Sequence, residues 1–178
     1  LYRVNEALTE ENAEIREDLR NARQENERIS QDREVLSEKV DQASMLQVYN
    51  LDAYGVRERG AGRERETDKT NRLDKIKVCF TIAENKVIEP GTKDVYIRIA
   101  QPDKLILTKD RSDEYTFMYK GEKIQYSIKK MIDYQNTSMD LCVYWEKTSP
   151  EKEMQKGVYH VEIFYMDEVI GHTQFILR

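Results

Sequence analysis

A seven-residue apolar repeat at the head of the chain constrains the fold more than any other feature. Leu1, Leu8, Ile15, Ala22, Ile29, Leu36 and Ala43 lie seven apart. Four residues after each comes a second series: Asn5, Asn12, Leu19, Asn26, Arg33, Val40 and Gln47. This 4-then-3 alternation is the pattern of a coiled coil, with the first series at d and the second at a. A helix packed against its own domain needs a wider apolar stripe. The spacing therefore predicts a helical rod over residues 1–44 whose partner is another copy of itself.

The seam is expected at Leu8, Asn12, Ile15, Leu19, Ala22, Asn26, Ile29, Arg33, Leu36 and Val40. Asn at a can bond to Asn at a across the axis of a parallel dimer, fixing register at a cost in stability. Glu11 and Asp18 at g then face Arg16 and Arg23 at e of the partner. Exposed pairs of this kind give about 0.2–1 kcal/mol each, so they orient more than they stabilise. The spacing predicts a parallel homodimer, and the weak a layer leaves a trimer open.

Charge separates the rod from the remainder. Residues 1–44 hold 7 basic and 12 acidic residues, and the remainder holds 22 of each, so the whole net charge of −5 lies on the rod. Nucleic-acid binding draws on a basic excess that displaces counterions from phosphate, and none is present. No apolar run is long enough to span a bilayer. The chain opens at Leu1 in mid-heptad without Met, which predicts a fragment. Any membrane contact is expected only through a segment upstream of Leu1.

After Ala43 the apolar period changes from 3.5 to 2. Alternating runs are expected as strands at about 46–58 (Leu46, Val48, Tyr54 and Val56 on one face, Tyr49 and Leu51 on the other), 73–83, 94–101, 105–108, 115–119, 124–134, 139–145, 159–165 and 169–177. Turn signals separate them, among them Pro90-Gly91, Pro102-Asp103 and Ser149-Pro150. No helical period recurs, so parallel crossovers are excluded and an antiparallel sandwich over 45–178 is expected. The charged run Arg57–Arg72 reads as a loop or the tip of a long hairpin. Cys79 and Cys142 fall on the outward parity of two different strands, which predicts free thiols rather than a bridge across a core.

The stretch from Gly157 to Leu177 carries a Gly-x-Tyr-x-Val-x-Ile strand, a short turn, then Ile-Gly and a Phe-x-Leu strand. It resembles the final hairpin of many bacterial immunoglobulin-like domains, and Gly91 to Asp103 resembles their strand and Pro-Asp turn. A coiled coil joined to such a domain is similar to uncharacterised envelope proteins of Bacteroidetes. That resemblance implies an immunoglobulin-like β-sandwich, a membrane anchor ahead of the coil and a place on the periplasmic side of the cell envelope. It brings no catalytic residue. A cytoplasmic location stays open.

The remaining residues offer little chemistry. Arg57, Arg59, Arg63, Arg65 and Arg72 invite a phosphate or lipid headgroup, but Glu58, Glu64, Glu66 and Asp68 are interleaved with them, so a solvated, self-pairing loop is expected. His160 shares its strand face with Glu162, and His172 could approach. No ligand spacing recurs, so two surface histidines are expected and no metal. Cys142 with a histidine could suggest a thiol nucleophile, but no helix N-terminus or oxyanion-forming loop supports it. Gly55, Gly60 and Gly62 precede no Lys-Ser/Thr and no helix, so they make no phosphate loop. Trp145 is expected in the core. Tyr96 and Tyr144 fall on outward parity, where tyrosines can stack on sugars but more often cover strand edges. With the four arginines of the hairpin they are the candidate partner-binding residues.

The expected whole is a non-enzymatic structural or interaction protein without a cofactor. A coiled-coil spacer presents a sandwich to an unknown protein partner at the cell envelope. A module for glycan or peptide ligands and a cytoplasmic dimeric scaffold are the alternatives.

Overall fold

The computed structural model describes residues 2–60, 62–148 and 154–178. Leu1 at the head of the repeat, Ala61 and the Ser149-Pro150 turn lie outside the described residues. The chain divides into two compact units, residues 1–43 and 44–178.

The first unit is one helix, α1 (Tyr2–Ala43), of 42 residues. At about 1.5 Å per residue it is roughly 63 Å long. Neither Gly nor Pro interrupts it. Every expected seam residue from Leu8 to Val40 is exposed in the single chain, Leu8 and Ile15 at 50% and Leu36 at 60%. Asn12 turns its side-chain amide back to the carbonyl of Leu8 at 2.9 Å.

Among the described residues the second unit holds ten strands: β1 (Val48–Arg59), β2 (Arg63–Glu66), β3 (Lys75–Ile82), β4 (Gly91–Ala100), β5 (Thr116–Tyr119), β6 (Glu122–Gln125), β7 (Ile128–Tyr134), β8 (Met139–Glu146), β9 (Gly157–Tyr165) and β10 (Glu168–Leu177). One sheet runs β2-β1-β3-β8 and the other β10-β9-β4-β7, with β5-β6 as a separate hairpin. All pairings are antiparallel. The chain changes sheets between β3 and β4, between β7 and β8, and again between β8 and β9. That Greek-key path is the connectivity of immunoglobulin-like sandwiches.

Alternating residues of both sheets make the core. Ile76, Val78, Phe80 and Ile82 of β3 meet Val95, Ile97 and Ile99 of β4 and Tyr159, Val161 and Ile163 of β9, with Trp145 among them. Tyr159 starts β9, is fully buried, and donates its hydroxyl to the carbonyl of Gln155 at 2.8 Å. This is the tyrosine corner of such sandwiches. Burial pushes the phenol up to about 12, since the charged form would have to leave water. Replacing Tyr159 with Phe removes one part-buried hydrogen bond that fixes the entry to β9. Tyr159→Phe is expected to lower stability by about 1 kcal/mol in urea denaturation, and an unchanged midpoint would refute the role.

Three strand expectations are corrected. Residues 105–108 form no strand and contribute only a bridge from Ile106 to Ala100. The long alternation at 124–134 breaks at Tyr126-Ser127, so β6 pairs with β5 while β7 joins β4. Ser127 is buried there and accepts the amide of Ile99 at 2.9 Å. In β1 the register shifts between Tyr49 and Asp52, with Asn50 at φ 51°. That extra residue reverses the parity, so Ala53 rather than Tyr54 faces the core.

The thiol expectation is also overturned. Cys79 and Cys142 are joined in a disulfide, with Cα atoms 4.1 Å apart. The parity was right, for both lie on the outer face of their sheet. The pairing of β3 with β8 sets them directly opposite each other. Close Cα atoms mark the narrow antiparallel pair, where two outward side chains can touch. A disulfide persists in oxidising compartments, so this bridge suggests a location outside the cytoplasm. Among the described residues no helix is long and apolar enough to cross a membrane.

Candidate functional site

The candidate residues of the sandwich separate onto three surfaces. The β1–β2 hairpin is the first. Its register sets Arg57 opposite Arg65, Glu58 opposite Glu64 and Arg59 opposite Arg63. Residues directly opposite in an antiparallel pair share a face, so the interleaved charges sort into an arginine face and a glutamate face.

The glutamate face is satisfied by lysines of β3. Glu58 binds Lys75 at 2.6 Å, and Glu64 binds Lys77 at 3.1 Å. Glu146 reaches Lys75 from the other side at 3.1 Å. Hydrogen bonds to Glu58 and then Glu146 hold the Lys75 ammonium above its usual range. Those with Tyr144 and then Glu64 do the same for Lys77. Tyr144 donates its hydroxyl to Glu64 at 3.2 Å, and Lys77 lies over its ring at 5.2 Å. Tyr144 is thus engaged within this outer charge network.

The arginines differ from the expected self-pairing. Arg57, Arg59, Arg63, Arg65 and Arg72 make no ion pair among the described residues. The core-facing parity of β1 runs from Ala53 through Gly55 to Arg57 and Arg59, so a core row turns cationic where the sandwich ends. The β1–β2 ladder runs on to Thr67, whose amide donates to the carbonyl of Gly55 at 2.8 Å, and the Thr67 carbonyl oxygen then lies over the core face of Gly55. Together the row and this segment enclose a groove of about 530 Å3, lined by Arg57, Arg59, Arg65, Lys69 and Arg72 with Glu66 and Asp68. Asp68 is engaged by Arg178 at 3.8 Å. Arg63 lies one step nearer the hairpin tip and does not line the groove. Lys69 escaped the sequence reading. The signal that could have found the site is arginine on core parity, a break in binary pattern of the sort that marks function.

Tyr96 occupies the second surface and is not free. Its ring stacks on Phe117 at 4.3 Å and meets Tyr126 at 5.3 Å. Phe117 in turn meets Phe164 edge-on at 5.4 Å. The β5–β6 hairpin folds over the outer face of β4 and β9, burying Phe117 and Phe164 and half-burying Tyr96 and Tyr126 as a second apolar layer. The third surface carries the histidines. Register sets His172 opposite Glu162 and His160 opposite Gln174. Glu162 is also contacted by Arg98 at 3.5 Å. Among the described residues no cluster is suited to hold a metal ion.

A Greek-key sandwich of two antiparallel sheets with a tyrosine corner is an immunoglobulin-like domain. Residues 49–178 match the family model described as a domain of unknown function, DUF8428, and the chain belongs to that family. No curated protein matches it. Among solved structures it is similar to an immunoglobulin-like protein from Pseudomonas aeruginosa, with 15% identity, a TM-score of 0.40, and 76% of this chain covering 98% of that one. A second likeness is to the alkylpurine DNA glycosylase AlkC of Pseudomonas fluorescens, bound to DNA containing an abasic site analog. It has 11% identity, a TM-score of 0.37, and 75% of this chain covering 30% of that one.

Proposed function

We propose that the protein is a non-enzymatic interaction module in which paired helices present two immunoglobulin-like sandwiches to a protein partner at the cell envelope. One observation carries this reading: a helix of 42 residues whose aliphatic stripe is about half exposed in the single chain. Leu8, Ile15, Leu19, Ile29, Leu36 and Val40 are each 45–60% exposed. The occupant that fits is a second copy in parallel, because the 3.5-residue seam, its Asn layers and the Glu11–Arg16 and Asp18–Arg23 matches all complement themselves. Two copies of one sandwich then bind a repeated partner with avidity. The disulfide supports a location outside the cytoplasm.

Light scattering tests the pairing. Residues 1–178 are expected at twice the 21.1 kDa chain mass, and residues 45–178, which hold the whole sandwich core, at their single-chain mass. Single-chain mass for both, independent of concentration, would refute the proposal.

A further inference from the structure

The geometry points to an oxyanion site in the arginine groove, one that takes a phosphate ester or polyphosphate. Five cationic side chains face the groove against two carboxylates, one already held by Arg178. Arg57 and Arg65 are direct cross-strand partners. Their Cβ atoms therefore stand about 5 Å apart, where like charges repel unless an anion lies between them. Guanidinium forks match phosphate oxygens in bidentate fashion. A single carboxylate would leave most of this charge unanswered, whereas a phosphate dianion or a polyphosphate answers it. Among the described residues no aromatic ring lines the groove, so a sugar or base finds nothing to stack on. Strand alternation places Glu58 and Glu64 on the opposite face, where Lys75 and Lys77 pair with them. Helix pairing plays no part in the site, so the two proposals stand or fall separately.

Inorganic pyrophosphate is the probe for the soluble source, and phosphatidylcholine vesicles with and without phosphatidic acid are the probe for a lipid headgroup. The full chain is compared with Arg57→Gln/Arg65→Gln. A control, Lys109→Gln/Lys156→Gln, removes the same charge from exposed positions elsewhere. At physiological salt, pyrophosphate is expected to raise the melting temperature of the wild type and the control. Its apparent affinity for the arginine variant should be weaker by about tenfold or more, the worth of one charge-assisted bond. Without anion the arginine variant should melt no lower than the wild type, since a repulsive pair has been removed. Vesicle binding that requires phosphatidic acid would assign the source to a headgroup, and its absence to a soluble phosphate. No pyrophosphate effect on the wild type, an equal effect on the control and arginine variants, or an anion-free arginine variant that melts lower, would overturn the inference.

Discussion

Reduction of the Cys79–Cys142 bridge is expected to lower the melting temperature of the sandwich by roughly 12–20 °C. The bridge closes a loop with a sequence separation of 63 residues. Chain-entropy scaling gives about 4 kcal/mol for a loop of that length, acting through the unfolded state. In a domain of this size each kcal/mol moves the midpoint by roughly 3–5 °C. The folded side changes little, because β3 and β8 keep their hydrogen-bonded register with or without the crosslink. Cys142 is exposed and Cys79 half-buried, so Cys79→Ala/Cys142→Ala opens no core cavity. That variant should melt like the reduced wild type and ignore reductant. Equal melting of the wild type with and without reductant would show that the crosslink contributes nothing.

Gly55→Ala is expected to destabilise the sandwich by about 1–3 kcal/mol, far beyond what one exposed methyl would do. A Cβ at residue 55 would stand 2.5 Å from Leu73 Cδ1, 2.5 Å from the Thr67 carbonyl oxygen and 3.2 Å from Leu177 Cδ2. The leucines can shift a methyl. The Thr67 carbonyl is backbone, so it moves only if its segment moves with it. The strain therefore falls on the segment that carries Lys69 and Arg72 into the groove. Urea denaturation reads the loss. A midpoint equal to that of the wild type would mean that segment 67–73 yields freely and that the close approach has no structural weight.

Local periodicity was enough for much of the architecture. The 3.5-residue repeat delimits a helix and marks its aliphatic stripe, since a helix shows one stripe whatever lies beyond it. The period of 2 delimits most strands and assigns Val78, Ile97 and Ile163 to a core, because side chains alternate across any sheet. It also placed both cysteines outward. Periodicity fails where one residue breaks the count. Asn50 does so in β1, and Ser127 does so by turning inward to Ile99 between β6 and β7.

What only the tertiary structure decided is which strand lies beside which, and with it every long-range pair. Parity says which face Cys79 and Cys142 occupy, but the pairing of β3 with β8 makes them neighbours. Tyr96 reads as an exposed ring until the β5–β6 hairpin is laid over it. The charged hairpin shows the same limit most clearly. Along the chain Arg and Glu alternate and neutralise one another. Folded antiparallel, they separate by face, β3 supplies lysines to the glutamates, and the arginines are left together in a groove. Charge alternating with period 2 is neutral as a string and polar as a sheet, because a strand sends successive side chains to opposite sides.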